Sequence, residues 1–439
     1  MASPASLRAR LGTAPLVLAV ALPLVFLHRN YQPHVAVGRV DVFLSDLAVL
    51  AIVLAGLAEA RHAACFRRTR AVWISWALLV VVVLLWTAWG AVHFAAYPAP
   101  THAVTAAKWC EYMLLAPAVF AIARRRGRLV PAAIVLVAWS AAATIVGVLQ
   151  FFGAIGNLDH TPAGGRKPSF LGDHDFAALS AAALVLAFVV VTRGSRSSHE
   201  RRFAAVAAAS GVVGMVVAGA FDALVGVVLA AIAIAAASRV REPRRLALVG
   251  VLVLAVVVGI LAIRSRAVAD GLKFLGLRHG SGGAAVAVQS YRQRALLAYI
   301  GGRIFLAHPL LGVGFEGSGD EYAYGPFVAA AKKRFTQPAE AFPSPQHPWG
   351  VQNAYVQSLA DFGVIGLPVF LAALLVPVAV ALRRGAGDRR LAGAALVLVC
   401  VGSWNGFGLV TGIPVAALTW LAVGVAAAAV VPESLTRED

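Results

Sequence analysis

Long apolar stretches alternate with short polar loops almost from the first residue to the last. A membrane-crossing helix needs about 20 predominantly apolar residues. Twelve stretches approach that requirement, at 13–27, 40–60, 71–95, 104–123, 129–152, 175–192, 203–220, 223–238, 246–263, 362–382, 391–411 and 413–431. The seventh and eighth are short and meet in a tight turn at Phe221-Asp222. The pattern predicts an all-α integral membrane protein of about twelve transmembrane helices. It divides the chain into a bundle over 1–263, a large polar loop over 264–352 and a second bundle segment over 353–439. The first apolar run follows Arg8 and Arg10 as a signal peptide would. His28-Arg29-Asn30-Tyr31 stands where a small-residue cleavage site belongs, so an uncleaved first span is expected.

The polar loops are unequal. Arginine clusters fill alternate ones: Arg61/Arg67/Arg68/Arg70, Arg124/Arg125/Arg126/Arg128, Arg193/Arg196/Arg201/Arg202, Arg239/Arg241/Arg244/Arg245 and Arg383/Arg384/Arg389/Arg390. The short loops between them, such as Tyr97 to His102, carry almost no positive charge. Short cytoplasmic loops hold the excess of Lys and Arg. The arginine loops and both termini are therefore expected in the cytoplasm, and the 264–352 loop outside. Its own basic residues do not conflict with this, because long loops escape the rule.

Composition supports the membrane reading. The chain of 439 residues is 60% hydrophobic and 13% charged, whereas soluble domains are about half apolar and a quarter charged. The formal net charge of +18 invites a nucleic-acid reading. Its spread over loops that set topology, with no recognisable binding module, argues against one. Cys65, Cys110 and Cys400 have neither metal nor redox spacing, and no disulfide framework follows.

Polar chemistry gathers in two outer segments. One is the loop from Ile155 to Asp173, with Asp159, His160, Arg166, Lys167 and, at its edge, His174. The other is the long loop. Its stretch SYRQRALLAYIGGRIFLAH places Leu296, Tyr299, Ile300 and Ile304 on one helical face, which predicts a helix lying along the membrane surface. From Gln337 to Gly350 four prolines exclude regular helix and predict an ordered or closing loop over a cavity.

Two motifs flank the long loop: His308-Pro309-Leu310-Leu311-Gly312-Val313-Gly314, and Asn353-x-Tyr355-x-x-x-Leu359-Ala360-x-Phe362-Gly363-x-Ile365-Gly366. With them, the region from Gly165 to Gly366 resembles the O-antigen ligase and polymerase superfamily of bacterial membrane proteins. The resemblance implies a many-span fold with one large outer loop. It also implies transfer of a glycan from a polyprenyl-pyrophosphate carrier to an acceptor hydroxyl on a glycan, lipid or protein. The setting implied is the outer face of the bacterial cytoplasmic membrane, with no cofactor. Arg294 stands 14 residues before His308, where the family carries an arginine. Arg166, Ser169-Phe170 and Asp175-Phe176-Ala177 echo the family's earlier outer loop, with His174 where asparagine is usual. Two departures stand out. Ala220-Phe221-Asp222 replaces a Ser-Arg pair at the turn of the middle hairpin, and Gln352 replaces the histidine of His-Asn-x-Tyr.

Each candidate has a chemical reading and a plainer one. Arg294, helped by Arg292 and Arg303, fits a pyrophosphate leaving group, since guanidiniums bind phosphate oxygens bidentately and stabilise developing charge. The plainer reading is snorkelling to lipid headgroups. Arg166 and Lys167 offer a second phosphate contact, or solvated loop charge. Gln352 can hold a hydrogen bond but cannot take a proton, so His347 is the nearby candidate base. The amides of Gln352 and Asn353, and Tyr355 through the shared motif, are substrate-contact candidates; Asn353 equally suits a helix cap. Asp173-His174-Asp175 has the shape of a divalent-metal site, but helix capping is the favoured reading and no obligatory metal is expected. Asp46, Lys108 and Glu111 fall within apolar stretches and should face the bundle interior, with Lys108 pairing Glu111 at i,i+3. A glycosyltransferase of ligase or polymerase type accounts for most of these features. A transporter of a lipid-linked or anionic solute and a non-catalytic envelope scaffold are the alternatives.

Overall fold

The computed structural model describes residues 12–38, 40–60, 63–125, 127–157, 165–195, 197–238, 242–265, 268–269, 290–410 and 412–431. Asp159, His160, Arg61, Arg126, Arg196, Arg239 and Arg241 lie outside them.

Helices account for nearly all the regular structure. In chain order they are α1 (Thr13–Val25), α2 (Leu44–Glu59), α3 (Ala63–Arg68), α4 (Arg70–His93), α5 (Ala99–Met113), α6 (Leu115–Ala123), α7 (Val130–Phe151), α8 (Asp173–Arg193), α9 (Ser198–Ala218), α10 (Phe221–Ala237), α11 (Pro243–Ile263), α12 (Ser290–Ala307), α13 (Glu321–Arg334), α14 (Ala354–Phe362), α15 (Gly366–Arg384), α16 (Gly387–Ser403) and α17 (Ile413–Ala428). Before α2, strands β1 (His34–Val37) and β2 (Val40–Phe43) pair antiparallel, His34 opposite Phe43. The apolar stretch from residue 40 thus begins as a strand, because Val40, Val42 and Phe43 are strand-favouring residues beside the Gly38 turn.

Seven helical segments among the described residues are long and apolar enough to cross a membrane: Arg70–His93, Ala99–Ala123, Val130–Phe151, Asp173–Arg193, Ser198–Ala218, Pro243–Ile263 and Ala354–Arg384. Thr13–Val25, Phe221–Ala237 and Pro414–Ala428 are apolar but shorter. The chain is an all-α, multi-pass membrane protein. Its outer surface carries large apolar side chains at helical spacing, including Ile74, Leu78, Val81 and Leu85 on α4 and Val251, Leu254 and Val258 on α11. Such stripes would be a liability in water and are ordinary against lipid. α8 is the opposite case: nearly every residue from Asp175 to Val189 is buried, so it is the bundle's central post.

The two ends of α8 differ in chemistry. At its C-terminus Arg193 pairs with Asp388 (2.6 Å) and Glu200 (2.7 Å), and Arg245 donates to Thr192 O (3.4 Å). Arg389 reaches the last carbonyls of α6, and Arg390 that of α10. Basic side chains on helix C-terminal carbonyls satisfy orphan acceptors and oppose the macrodipole. The candidate chemistry lies at the other end, about 30 Å away for 21 residues at 1.5 Å each.

The polar insertion has a core of its own. Leu296, Leu297, Ile300 and Ile304 of α12 pack with Ala323, Tyr324 and Ala331 of α13 and with Phe342. The apolar face of α12 that was expected to lie on the membrane is therefore covered by protein, with Tyr299 against Phe335. The motif at 308–314 clasps this unit to the bundle. Val313 N donates to Ala360 O (3.1 Å), Gly314 N to Asp361 O (2.9 Å) and Trp86 Nε1 to Leu311 O (2.6 Å).

Candidate functional site

Four helix ends meet at the N-terminal end of α8. Its first residues, Asp173 and His174, project beside the C-terminal turn of α9, the start of α10, the end of α11 and the first turns of α12. Gly219 closes α9 with φ +61°, and a Cβ there would crowd Arg166 (3.3 Å) and Arg264 (3.5 Å). Glycine at this cap lets both arginines approach the helix end, where Arg264 donates to Gly219 O (3.1 Å) and lies 5.7 Å over the Phe221 ring.

Arg166 forms an ion pair with Asp173. His174 Nδ1 lies 3.0 and 3.1 Å from the two carboxylate oxygens of Asp222, and Arg294 Nη2 lies 2.5 Å from His174 Nε2. Arginine can only donate, so Nε2 accepts; the network therefore assigns the ring proton to Nδ1, which donates to Asp222. Arg294, His174 and Asp222 form one hydrogen-bonded chain across three helices. Phe407 meets the imidazole edge-on at 5.3 Å. Gly406 lets the chain backbone close over Asp222, since a Cβ there would lie 2.4 Å from Oδ2.

Three guanidiniums, those of Arg166, Arg264 and Arg294, face two carboxylates, those of Asp173 and Asp222. Burial pushes Arg294 below its usual value, Asp222 opposes that and Arg166 adds to it. Burial and then Arg166 act the same way on Arg264. Arg294 Nε, Arg166 Nε and Asp173 Oδ1 are buried with no hydrogen-bond partner among the described residues. Buried donors left unpaired are costly. Guanidinium donors held in place, with positive charge in excess, favour an anion of two or more oxygens.

Beside this cluster lies a chamber of about 750 Å³, walled by Asp173, His174, Asp41, Asp46, Lys108 and Tyr112 among others. Lys108 does not pair with Glu111 as expected. It reaches Asp46 on α2 (2.7 Å) and the carbonyl of Asp41, while Tyr112 OH donates to Ser45 Oγ (3.0 Å). β2 and the first turn of α2 bring these acceptors within reach, which helical spacing alone could not reveal. An apolar crevice of about 420 Å³, lined by Val42, Val49, Leu50, Val53 and Leu114, shares Asp46 and Lys108 with the chamber.

The remaining candidates lie elsewhere. Asn353 is the N-cap of α14, accepting from Tyr355 N (3.1 Å) and Val356 N (3.0 Å), and its amide donates to Asn405. Tyr355 donates its hydroxyl to Val401 O, tying α14 to α16. Gln352 is half-buried just before that cap. His347 is exposed in a tight turn with Ser344, its ring 6.5 Å from Trp349, and no described contact joins it to the arginines. Arg303 is exposed over Phe327, and Arg292 lies beside Tyr291. Lys167 is fully buried and its backbone N–H bonds to Val217 O (3.0 Å). Neither reading of Asp173-His174-Asp175 holds in simple form. Gly172 occupies the cap position without a side-chain bond, and the three side chains take separate partners, Asp175 accepting from Val415 N (3.2 Å). Among the described residues, no group of three or more His, Cys, Asp or Glu side chains is arranged to hold a metal ion.

A second polar cluster was not foreseen. Asp361 accepts from the backbone N–H of Glu316 (3.0 Å) and Ser318 (3.0 Å), and Gln357 donates to both Glu316 (2.6 Å) and Asp361 (3.0 Å). Burial, and then Asp361, push the Glu316 carboxyl up to about 8. Close by, His102 bonds Asp320 (2.7 Å) and Tyr97 donates to Phe315 O (2.8 Å). This cluster fastens the insertion to α14.

No protein-family model matches the sequence, and a search of curated proteins finds no match.

Proposed function

We propose that the protein is a glycosyltransferase that moves a glycan from a polyprenyl-pyrophosphate carrier to an acceptor hydroxyl, as a ligase or a polymerase. One observation carries the reading: Arg294 and Arg166 each hold a buried, unpartnered guanidinium N–H, and their partners His174 and Asp173 line the wall of a chamber. A pyrophosphate supplies the paired oxygens that such donors lack, and its charge grows as the glycosidic bond breaks, when fixed donors matter most. The chamber has room for sugar units, and the adjoining apolar crevice suits the first isoprene units of the carrier.

In this reading the chain crosses the cytoplasmic membrane twelve times. Both termini and the arginine loops face the cytoplasm, and the 264–352 loop faces out. The part-buried Asp46–Lys108 pair would favour a transporter only if it led through the bundle; it opens instead on the same chamber.

The reading is tested by titrating polyprenyl pyrophosphate against the purified protein in lipid nanodiscs. Arg294→Ala and Arg166→Ala should each weaken binding about 10- to 100-fold, the worth of a charge-assisted contact of roughly 1.5–3 kcal/mol. Arg303→Ala should bind as the wild type does. Equal affinity in all four proteins would remove the site.

A further inference from the structure

His174 at the start of α8 and Asp222 at the start of α10 are hydrogen-bonded to each other. Asp222 is buried to 2% side-chain exposure, and His174 keeps 15% on the chamber wall. Asp222 accepts from Nδ1, which fixes the ring so that Nε2 is the nitrogen with a lone pair. That lone pair is occupied by Arg294. His347, the histidine that the sequence offers as a base, lies in an exposed turn with no described contact to these groups.

We propose that His174 is the general base of the transfer, with Asp222 its positioning residue and Arg294 the group that keeps it capped until donor binds. The proposal rests on the transferase reading above. Pyrophosphate oxygens compete for Arg294 and draw its guanidinium away, leaving Nε2 open. An acceptor hydroxyl then donates to Nε2. Its oxygen attacks the anomeric carbon, and the new C–O bond forms as the bond to the pyrophosphate oxygen breaks. The electron pair of the broken bond leaves on polyprenyl pyrophosphate, and the hydroxyl proton moves to Nε2. Asp222 stabilises the imidazolium formed, and the proton passes to the released pyrophosphate or to water. Because one arginine serves both groups, the base is uncovered only when donor is present. An empty site then holds no free base beside the chamber.

The test uses the full chain in nanodiscs with lipid-linked glycans extracted from the host membrane, following release of polyprenyl pyrophosphate. His174→Ala should cut turnover about 100-fold or more, the usual reach of a general base. Added imidazole should restore part of the loss, and affinity for polyprenyl pyrophosphate should not fall. His174→Gln, which preserves the packing, should be equally slow. Asp222→Asn should lower kcat with little change in KM for donor, and Asp222→Glu should recover part of it. Wild-type turnover in His174→Gln, or a slow His174→Ala that imidazole does not restore, overturns the proposal while leaving the transferase intact. No release by the wild type itself overturns both.

Discussion

Glu316 holds a left-handed backbone, φ +64°, which only a few per cent of non-glycine residues adopt. The strain is tolerated because the bend points the N–H groups of Glu316 and Ser318 at Asp361. It also buries a carboxyl held up to about 8, against an ordinary value of 4.5. For an acid raised on folding, the stabilisation is complete below the unfolded value. It is lost as pH rises through the folded one, because the unfolded chain ionises first. Thermal stability should therefore fall between about pH 4.5 and pH 8. Glu316→Gln keeps the acceptor for Gln357 and removes the ionisation. It should flatten that slope and stabilise the protein at pH 8 by roughly 1–3 kcal/mol, the scale of a buried polar group relieved. Melting temperatures at pH 5 and pH 8 in the same lipid would decide it, and equal slopes in both proteins would contradict the assignment. At this scale the sequence was partly legible. Arg294 and Arg166 could be singled out by spacing and loop composition. The chain from Arg294 through His174 to Asp222 could not, because its contacts join residues 120 and 48 positions apart. In the sequence His174 stood out only beside the Asp175-Phe176-Ala177 echo, and Asp222 only as part of the Ala220-Phe221-Asp222 turn.

Helix ends, rather than helix faces, place the chemistry. Asn353 and Tyr355 stand in one sequence motif, yet one caps α14 and the other ties it to α16. Capping by asparagine is a local event that sequence can foresee; the tie to Val401 is a packing event that it cannot. The same holds for α12, whose apolar face was legible while its cover, α13 and Phe342, was not. Orientation of these elements is open to labelling in a background lacking Cys65, Cys110 and Cys400. Ser318 is buried and unsuitable, whereas Gln346 and Arg202 are exposed. Gln346→Cys should react with an impermeant maleimide from outside intact cells, and Arg202→Cys only after the membrane is opened. The reverse pattern would invert the bundle.

Over the whole molecule, hydrophobic periodicity located the helices well, since burying backbone polar groups in lipid forces each apolar stretch into helix. It could not distinguish lipid-facing α4 and α11 from the fully enclosed α8, because all three are apolar on every side. Nor could it find the chamber, which arises where α2, α5, α8 and the segment before α17 fail to fill the space between them. That chamber, whose wall residues Asp173 and His174 pair with Arg166 and Arg294, is the basis of the functional reading. The most direct test is release of polyprenyl pyrophosphate by the purified wild-type chain in nanodiscs supplied with lipid-linked glycans and envelope lipids from the host. Release by the wild type, and its loss in a folded Arg294→Ala protein, is the predicted result. No release, or undiminished release without Arg294, would contradict a transferase built on this site.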